Sequence, residues 1–272
     1  MDMVGIHFGT LKSVTSISQR KCAYFALERA MQRHGVKITY YSMSSLDQKR
    51  GHYKKYGNNW HRKRLEKGFE GIDGLGFCAN PEKSNAPSYD WTATADFSWT
   101  SKTSLTLLLP LENCDLNGSK YRETIKEFSG LAVWDYGWCT QGDRNKGIAP
   151  FTAGDYDDGN LSKEDNECLD LWYVSSYSEP KKRTTHLRDI FQSNFVTEAH
   201  LEFPVFGKTL REFIQSDKSS KISQLSESLW IWTVDTTSIP RVRKKLQPSG
   251  VLLSRPATNS KSSLGWLKNF IS

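Results

Sequence analysis

Residues 3–43 read MVGIHFGTLKSVTSISQRKCAYFALERAMQRHGVKITYYSM, and this stretch decides the fold. Apolar Val4, Ile6 and Phe8 alternate with Gly5, His7 and Gly9, which is the period of a strand. Residues 18–34 then carry apolar side chains at helical spacing, and a glycine follows that can close a helix. Residues 36–43 are rich in β-branched and aromatic residues, which favour a second strand. The stretch therefore predicts a strand, a helix and a strand.

The pattern continues outward from this unit. Three strands are predicted over 74–79, 91–99 and 105–109, followed by a helix over 121–128 and a strand over 131–138. The order strand, helix, strand, strand pair, helix, strand is typical of the ferredoxin-like split-βαβ motif. We therefore expect an α+β fold with an antiparallel or mixed sheet in residues 1–138. The expected core of this half is Val4, Ile6, Phe8, Leu27, Met31, Ile38, Tyr40, Phe97, Leu107, Leu109, Ile125, Phe128 and Val133.

The rest of the chain is divided by composition. Residues 139–162 are rich in Gly, Asp and Asn and lack apolar periodicity, which predicts a loop or linker. Residues 163–254 predict a second, smaller α+β half. It contains helices over 209–215 and 240–246 and a hairpin formed by 221–225 and 229–235. Residues 255–272 predict a polar linker and an amphipathic tail.

Composition limits the class of protein. Hydrophobic residues make up 37% and aromatic residues 12% of the 272 residues, so the chain is globular rather than disordered. It has no long apolar run and no secretory signal pattern, so we expect a cytoplasmic protein without membrane association. The five cysteines include no CxxC pair, which argues against a zinc ribbon and a disulfide framework.

A basic, aromatic segment is the first candidate binding site. The net charge is +7, and residues 52–67 concentrate basic side chains between aromatic ones. Tyr53 and Tyr56 could stack on nucleic-acid bases while cations neutralise phosphate. The alternative is a basic loop whose aromatic side chains pack back on the sheet. The candidate residues are Lys54, Lys55, Trp60, Arg62, Lys63 and Arg64.

The tail is the second candidate binding site. Trp266, Leu267 and Phe270 lie among the large apolar residues of the last nine, and an exposed cluster of this kind would be adhesive. We therefore expect the tail to be buried, either on its own domain or in a partner.

Catalytic and metal motifs are not found. Asp155, Asp157 and Asp158 form an acidic group, but the glycine and glutamate spacing of a calcium-binding EF-hand fails, which favours an ordinary surface loop. His7, on the polar face of a strand, is either a structural histidine or a base. Neither GxGxxG in the required context nor GxxxxGK[ST] occurs. The sequence therefore assigns no catalytic residue, no metal and no cofactor.

One part of the chain resembles a known class of proteins. The stretches HLRDIFQSNFVTEAHLEFPVFGKTLREFIQSD (186–217) and LWIWTVDTTSIPRVRKKLQPSGVLL (229–253) share an LRD.F..NF....HL opening, a TLREFI helix and a closing IP.VR. Residues 185–253 thereby resemble bacterial toxin-immunity proteins of the type VI secretion kind. The resemblance implies a bacterial protein that binds and neutralises a toxin without catalysis.

Three functional hypotheses follow. The first is a non-catalytic protein-binding module, an immunity-type or defence-associated factor whose partner is a protein, for instance a bacterial toxin. The second is a nucleic-acid-binding protein that uses the basic segment 52–67. The third is an enzyme of unrecognised class that uses His7 and nearby carboxylates.

Overall fold

The computed structural model of the chain describes residues 1–13, 16–44, 53–66, 69, 71–80, 91–99, 102–154 and 161–255. The helices in this part are α1 (Ile17–Arg33), α2 (Asn59–Glu66), α3 (Ser119–Ser129), α4 (Ile148–Ala153), α5 (Lys163–Ser178), α6 (Glu198–Leu201), α7 (Leu210–Ser216) and α8 (Ile239–Leu246). None of them is long and apolar enough to cross a membrane.

Most of the strands form one antiparallel sheet. The strands are β1 (Asp2–Thr10), β2 (Tyr40–Ser44), β3 (Lys54–Lys55), β4 (Gly74–Ala79), β5 (Ala93–Ser98), β6 (Thr103–Pro110), β7 (Tyr136–Asp143), β8 (Ser193–Val196), β9 (Pro204–Val205), β10 (Lys208–Thr209), β11 (Ser220–Gln224) and β12 (Trp230–Val234). Ten of these form a sheet in the order β11-β12-β8-β7-β1-β6-β5-β4-β2-β3, and β9 pairs with β10. Every strand pair is antiparallel.

Strand β1 lies in the middle of the sheet and separates its two faces. Val4, Ile6 and Phe8 belong to the largest apolar cluster, which also contains buried residues of α1 and α3. Phe8 stacks on Phe195 of β8 with ring centroids 4.4 Å apart, so the cluster extends into the second half of the chain. Because side chains alternate along a strand, Gly5, His7 and Gly9 lie on the opposite face.

The helices of the second half cover that opposite face. A second apolar cluster joins α6, α7 and α8 to Trp232 and Val234 of β12. Trp232 is in register with Asn194, which is in register with Trp138 and then with His7, so these side chains share one face. The two main helix layers thus lie on opposite faces of the sheet and over different strands.

The prediction of a ferredoxin-like split-βαβ half is wrong, although the broader α+β class holds. Strands β6, β5 and β4 separate β1 from β2, the two strands that α1 connects. Strands β4 and β5 each present an apolar side to the same cluster under α1, which brings them into this sheet. The sheet then continues through β7 into the second half, so it has ten strands instead of the four of the motif.

The sheet also runs through the predicted linker. Residues 139–143 belong to β7 and residues 148–153 form α4, so the stretch 139–162 contains regular structure. Strand β7 pairs with β8, and strands from both predicted halves lie in the same sheet. Residues 155–160, which include the acidic group Asp155, Asp157 and Asp158, lie outside the described residues.

The predicted strand over 131–138 begins too early, since β7 starts at Tyr136. The preceding residues close the end of α3 instead, because the indole N–H of Trp134 donates to the carbonyl oxygen of Phe128 at 2.7 Å. Val133 consequently lies at the surface with 60% exposure, and its assignment to the core is wrong. Tyr40 is only partly buried, whereas the other expected core residues are buried.

A buried carboxylate ties the end of the described chain to the second half. Asp189 is 4% exposed, and its oxygens accept hydrogen bonds from Arg243 Nε at 2.7 Å and Arg255 Nε at 2.9 Å. Arg255 also donates to Glu164 of α5 at 2.8 Å. Asp189 and Arg243 belong to the residues on which the sequence resemblance of 185–253 rests, and here they have a structural role.

We predict that the hairpin of β9 and β10 is strained at Phe206. Its two-residue turn has φ of 52° at Phe206 and 77° at Gly207, a geometry that favours Asn or Gly at the first position. The Phe206 side chain is 58% exposed, so its removal loses little packing. Phe206→Asn should raise the free energy of unfolding by about 1 kcal/mol in urea denaturation. An unchanged or lower value would show that the ring contributes more than the turn costs.

Candidate binding recess

The face of the sheet opposite α1 and α3 carries small polar residues over five neighbouring strands. One row across β2, β4, β5, β6 and β1 consists of Ser42, Gly76, Asp96, Thr106 and His7. A parallel row consists of Ser44, Gly74, Ser98, Ser104 and Gly9. We call this surface the recess floor. No helix of the described part of the chain carries a buried apolar stripe over its β4 and β2 end.

Helix α4 and Tyr136 form one wall of the recess because two glycines of β1 let them approach. A Cβ on Gly5 would lie 2.1 Å from the Thr152 hydroxyl of α4. A Cβ on Gly9 would lie 2.5 Å from the ring of Tyr136. Without side chains at these two positions, the wall packs directly on the backbone of the central strand.

Two adjoining cavities lie above the floor. The larger, about 640 Å³, is lined by floor residues and by Trp91, Lys102, Tyr136, Trp172 and Arg183. The smaller, about 260 Å³, lies over β4 and β2 and includes Tyr53. Both are lined by Asp96 and Ser98, so the two cavities adjoin, and we call them together the recess.

His7 lies on the floor of the larger cavity as a neutral side chain. Its Nδ1 and the Thr106 hydroxyl are 3.1 Å apart in a hydrogen bond, and its ring stacks on Trp138 with centroids 4.5 Å apart. Burial lowers the pKa of His7 well below its usual value, and the positive charges of Arg188, Arg183 and Lys102 lower it further. The sequence allowed two interpretations of His7, a structural histidine or a base. The observed contacts are those of a buried, hydrogen-bonded histidine.

Asp96 is the acidic group of the recess. It lies two strands from His7 in the same row, which corresponds to about 10 Å. Burial raises the pKa of Asp96 to about 7, although a hydrogen bond from Thr94 favours the charged form. A carboxyl with this pKa exchanges its proton near neutral pH.

Arg183 lies at the opposite end of the larger cavity and is 3% exposed. Its guanidinium is 4.1 Å from the ring centroid of Trp172 and donates to the Tyr136 hydroxyl at 2.9 Å. The backbone of Arg183 is held by His200, whose Nε2 donates to its carbonyl oxygen at 3.0 Å. His200 is the histidine of the shared HL motif, so the motif positions Arg183 indirectly.

Arg188 is also surrounded by aromatic side chains and is 4% exposed. Its guanidinium is 4.4 Å from the ring centroid of Phe151 and 4.7 Å from that of Trp138. Burial lowers the pKa of Arg188 to about 10, although neighbouring Asp189 opposes this, so the group keeps its charge at neutral pH. Neither Arg183 nor Arg188 forms a salt bridge with a carboxylate of the described residues.

The residues predicted for nucleic-acid binding lie at the β3 edge of the sheet. Lys54 and Lys55 form β3, and Lys63 is an exposed residue of α2. Trp60, Arg62 and Arg64 belong to the backbone of α2, and their side chains are outside the described part. Tyr56 packs against Phe77 with ring centroids 6.0 Å apart and donates to Glu28, which is the arrangement of an aromatic residue packed back on the sheet.

The tail residues Trp266, Leu267 and Phe270 lie outside the described residues. Within the described residues, no three His, Cys, Asp or Glu side chains are grouped as metal ligands.

Sequence reasoning missed the recess except for His7 and Tyr53. The floor had a detectable signal, because small polar residues alternate with apolar ones in GLGFCA, ATADFS and TSLTLLLP. No local sequence pattern marks Arg183 or Trp172, because these residues come close to β1 only when segments distant in sequence fold together.

The chain shares its fold with a solved structure. The T6SS protein PA0821 of Pseudomonas aeruginosa aligns with a TM-score of 0.58 and 11% sequence identity, over 100% of this chain and 88% of that chain. No protein-family model matches the chain, and no curated protein matches it. The likeness establishes a common fold with that protein.

We predict that Asp96 makes stability depend on pH. Because its pKa is raised on folding, the folded state binds the proton more tightly than the unfolded state does. Asp96 therefore lowers stability as pH rises from the unfolded pKa, about 4, towards 7, and the loss is constant above that. Asp96→Asn should remove the effect, so the stability of the variant relative to wild type should rise by about 2–3 kcal/mol between pH 5 and pH 8.

Urea denaturation of both proteins at several pH values measures this difference. The comparison cancels the titration of histidines that both proteins contain. A difference that does not change with pH would contradict the raised pKa of Asp96.

Proposed function

We propose that the chain is a non-catalytic bacterial binding protein of the immunity type, which neutralises a partner protein by receiving a projecting segment of it in the recess. The observation that carries the proposal is the recess floor, which holds small polar side chains over five strands. A solvated sheet face normally displays longer charged residues. Small side chains here leave depth and accessible hydroxyl groups that a partner segment could use.

The size of the recess supports an inserted segment. The larger cavity of about 640 Å³ lies in the range that encloses a drug-sized ligand, and the smaller one extends it. Several side chains of a loop or hairpin fit this space. Aromatic rings at the wall, such as Trp91 and Tyr173, are of the type enriched where proteins bind each other.

Two further observations support an immunity-type role. The chain shares its fold with a type VI secretion protein, which supports a secretion-related role. The motif in 185–253 resembles immunity proteins, and its His200 holds the backbone of Arg183, which lines the recess. A binding role without catalysis also agrees with the state of His7, which is neutral, hydrogen-bonded and stacked.

The test uses the protein encoded next to this chain as the candidate toxin. Expressing that neighbour in a bacterial host should arrest growth, and co-expression of this chain should restore growth. Ser98→Trp should abolish both rescue and co-purification, because Ser98 is exposed on the floor and lines both cavities. Loss of binding by at least tenfold is expected from a large side chain in the recess.

Ser223→Trp is the matched control. Ser223 is also an exposed strand serine, but it pairs with Ile231, which is in register with Phe195 on the α1 face. The control should bind and rescue like wild type. If neither rescue nor complex formation occurs with wild type, the immunity proposal fails, and if Ser98→Trp behaves like the control, the recess is not the binding surface.

A further inference from the structure

Two buried arginines beside the recess lack a carboxylate partner among the described residues, although each donates hydrogen bonds to neighbouring oxygens. Arg183 and Arg188 are 3% and 4% exposed, and the described residues supply no carboxylate within salt-bridge distance of either. Burying a charge is costly unless it is paired and hydrogen-bonded. The aromatic rings of Trp172, Trp138 and Phe151 offset part of this cost through cation–π contacts.

The guanidinium groups also keep unused hydrogen-bond donors. Nε of Arg183 and Nη2 of Arg188 are buried without an acceptor. Each unsatisfied buried donor is unfavourable, and such a group is commonly satisfied by a bound ligand, ion or water. Arg183 is the one of the two that lines the larger cavity.

Further donors converge on the same end of the cavity. The Tyr136 hydroxyl accepts from Arg183 at 2.9 Å, which leaves its own proton available for a ligand. Ser104 adds a hydroxyl group, and exposed Lys102 adds a second positive charge at the cavity wall. Lys102 and Arg183 line the same cavity as His7, and their positive charges, with that of Arg188, lower the pKa of His7.

The only acidic side chain that lines the larger cavity is Asp96, among the described residues. It lies on β5, two strands from His7, and Thr94 holds it by a hydrogen bond. Its charge therefore lies at the far end of the cavity from Arg183 and does not neutralise that cation. The cavity is polar at both ends and positive at the end formed by Arg183, Lys102 and Tyr136.

We propose that this end of the recess is an anion-binding site that takes a compact oxyanion, a carboxylate or a phosphate group, on Arg183 with Lys102 and the Tyr136 hydroxyl. A guanidinium fixed by ring stacking is already oriented for an oxyanion and loses little entropy on binding it. The site belongs to the chain alone, and its test needs no partner protein. It can therefore fail without failure of the proposed function.

The experiment measures thermal melting of the full chain with two probes. Inorganic phosphate and N-acetylglutamate are titrated separately, with sodium chloride at matched ionic strength as the reference. A ligand that binds only the folded state raises the melting temperature, and a rise of about 2–5 °C is expected at concentrations well above Kd. Response to phosphate alone assigns a phosphate ligand, and response to N-acetylglutamate alone assigns a carboxylate.

Variants locate the site. Arg183→Gln should lose the response to the probe, and Lys102→Gln should weaken Kd about three- to tenfold, because Lys102 is exposed and its loss leaves the fold intact. Arg122→Gln and Lys126→Gln are the matched controls, since both residues are exposed on α3 at the opposite face. Both controls should respond like wild type.

Two results would overturn the proposal. One is a melting temperature that neither probe raises above the chloride reference. The other is a response in Lys102→Gln and Arg183→Gln equal to that of the controls. If Arg183→Gln does not fold, the rise in melting temperature of Lys102→Gln is compared with that of Lys126→Gln. Equal rises in these two variants then contradict the proposal.

Discussion

Strand β1 is hydrogen-bonded on both sides, and the separation of its two faces determines the rest of the structure. It pairs with β6 from Met3 to Thr10 and with β7 from Asp2 to Gly9. Its apolar face fixes the position of α1 and α3, because Val4, Ile6 and Phe8 must be buried. Its other face carries two glycines and a histidine, so α4 and Tyr136 can reach the backbone. The recess exists because the helices of the second half cover this face only over β7, β8 and β12.

The sequence predicts the elements of the chain better than their arrangement. Helix α3, helix α8 and the hairpin of β11 and β12 lie within a few residues of their predicted positions, because each has a local period or turn signal. The order of strands has no such signal. Nothing in the local pattern states that β4 and β5 insert between β6 and β2, since that depends on which apolar faces α1 can cover. The ferredoxin-like prediction failed at this point.

The candidate site was predictable only where it follows strand alternation. His7 was identified from its place among Val4, Ile6 and Phe8, and the same reasoning applies to Thr106 and Asp96. No alternation identifies Arg183, because it lies in a run of three cationic residues that is typical of a solvated surface. Its burial results from Trp172 of α5 and from the bond that His200 makes to its backbone. Contacts between residues so far apart in sequence cannot be derived from composition or period.

The polar floor has a cost for stability that the rest of the sheet must offset. Glycine, serine and threonine on central strands bury little apolar area, and the buried cations add a desolvation penalty. The opposite face offsets this with one continuous cluster that joins β1 to α1, α3 and Phe195. Substituting apolar residues for floor residues would increase burial, yet the chain keeps hydroxyl groups, a carboxyl and a cation there. Residues that lower the stability of the fold are commonly retained for binding, and this argument supports a ligand-binding role for the recess floor.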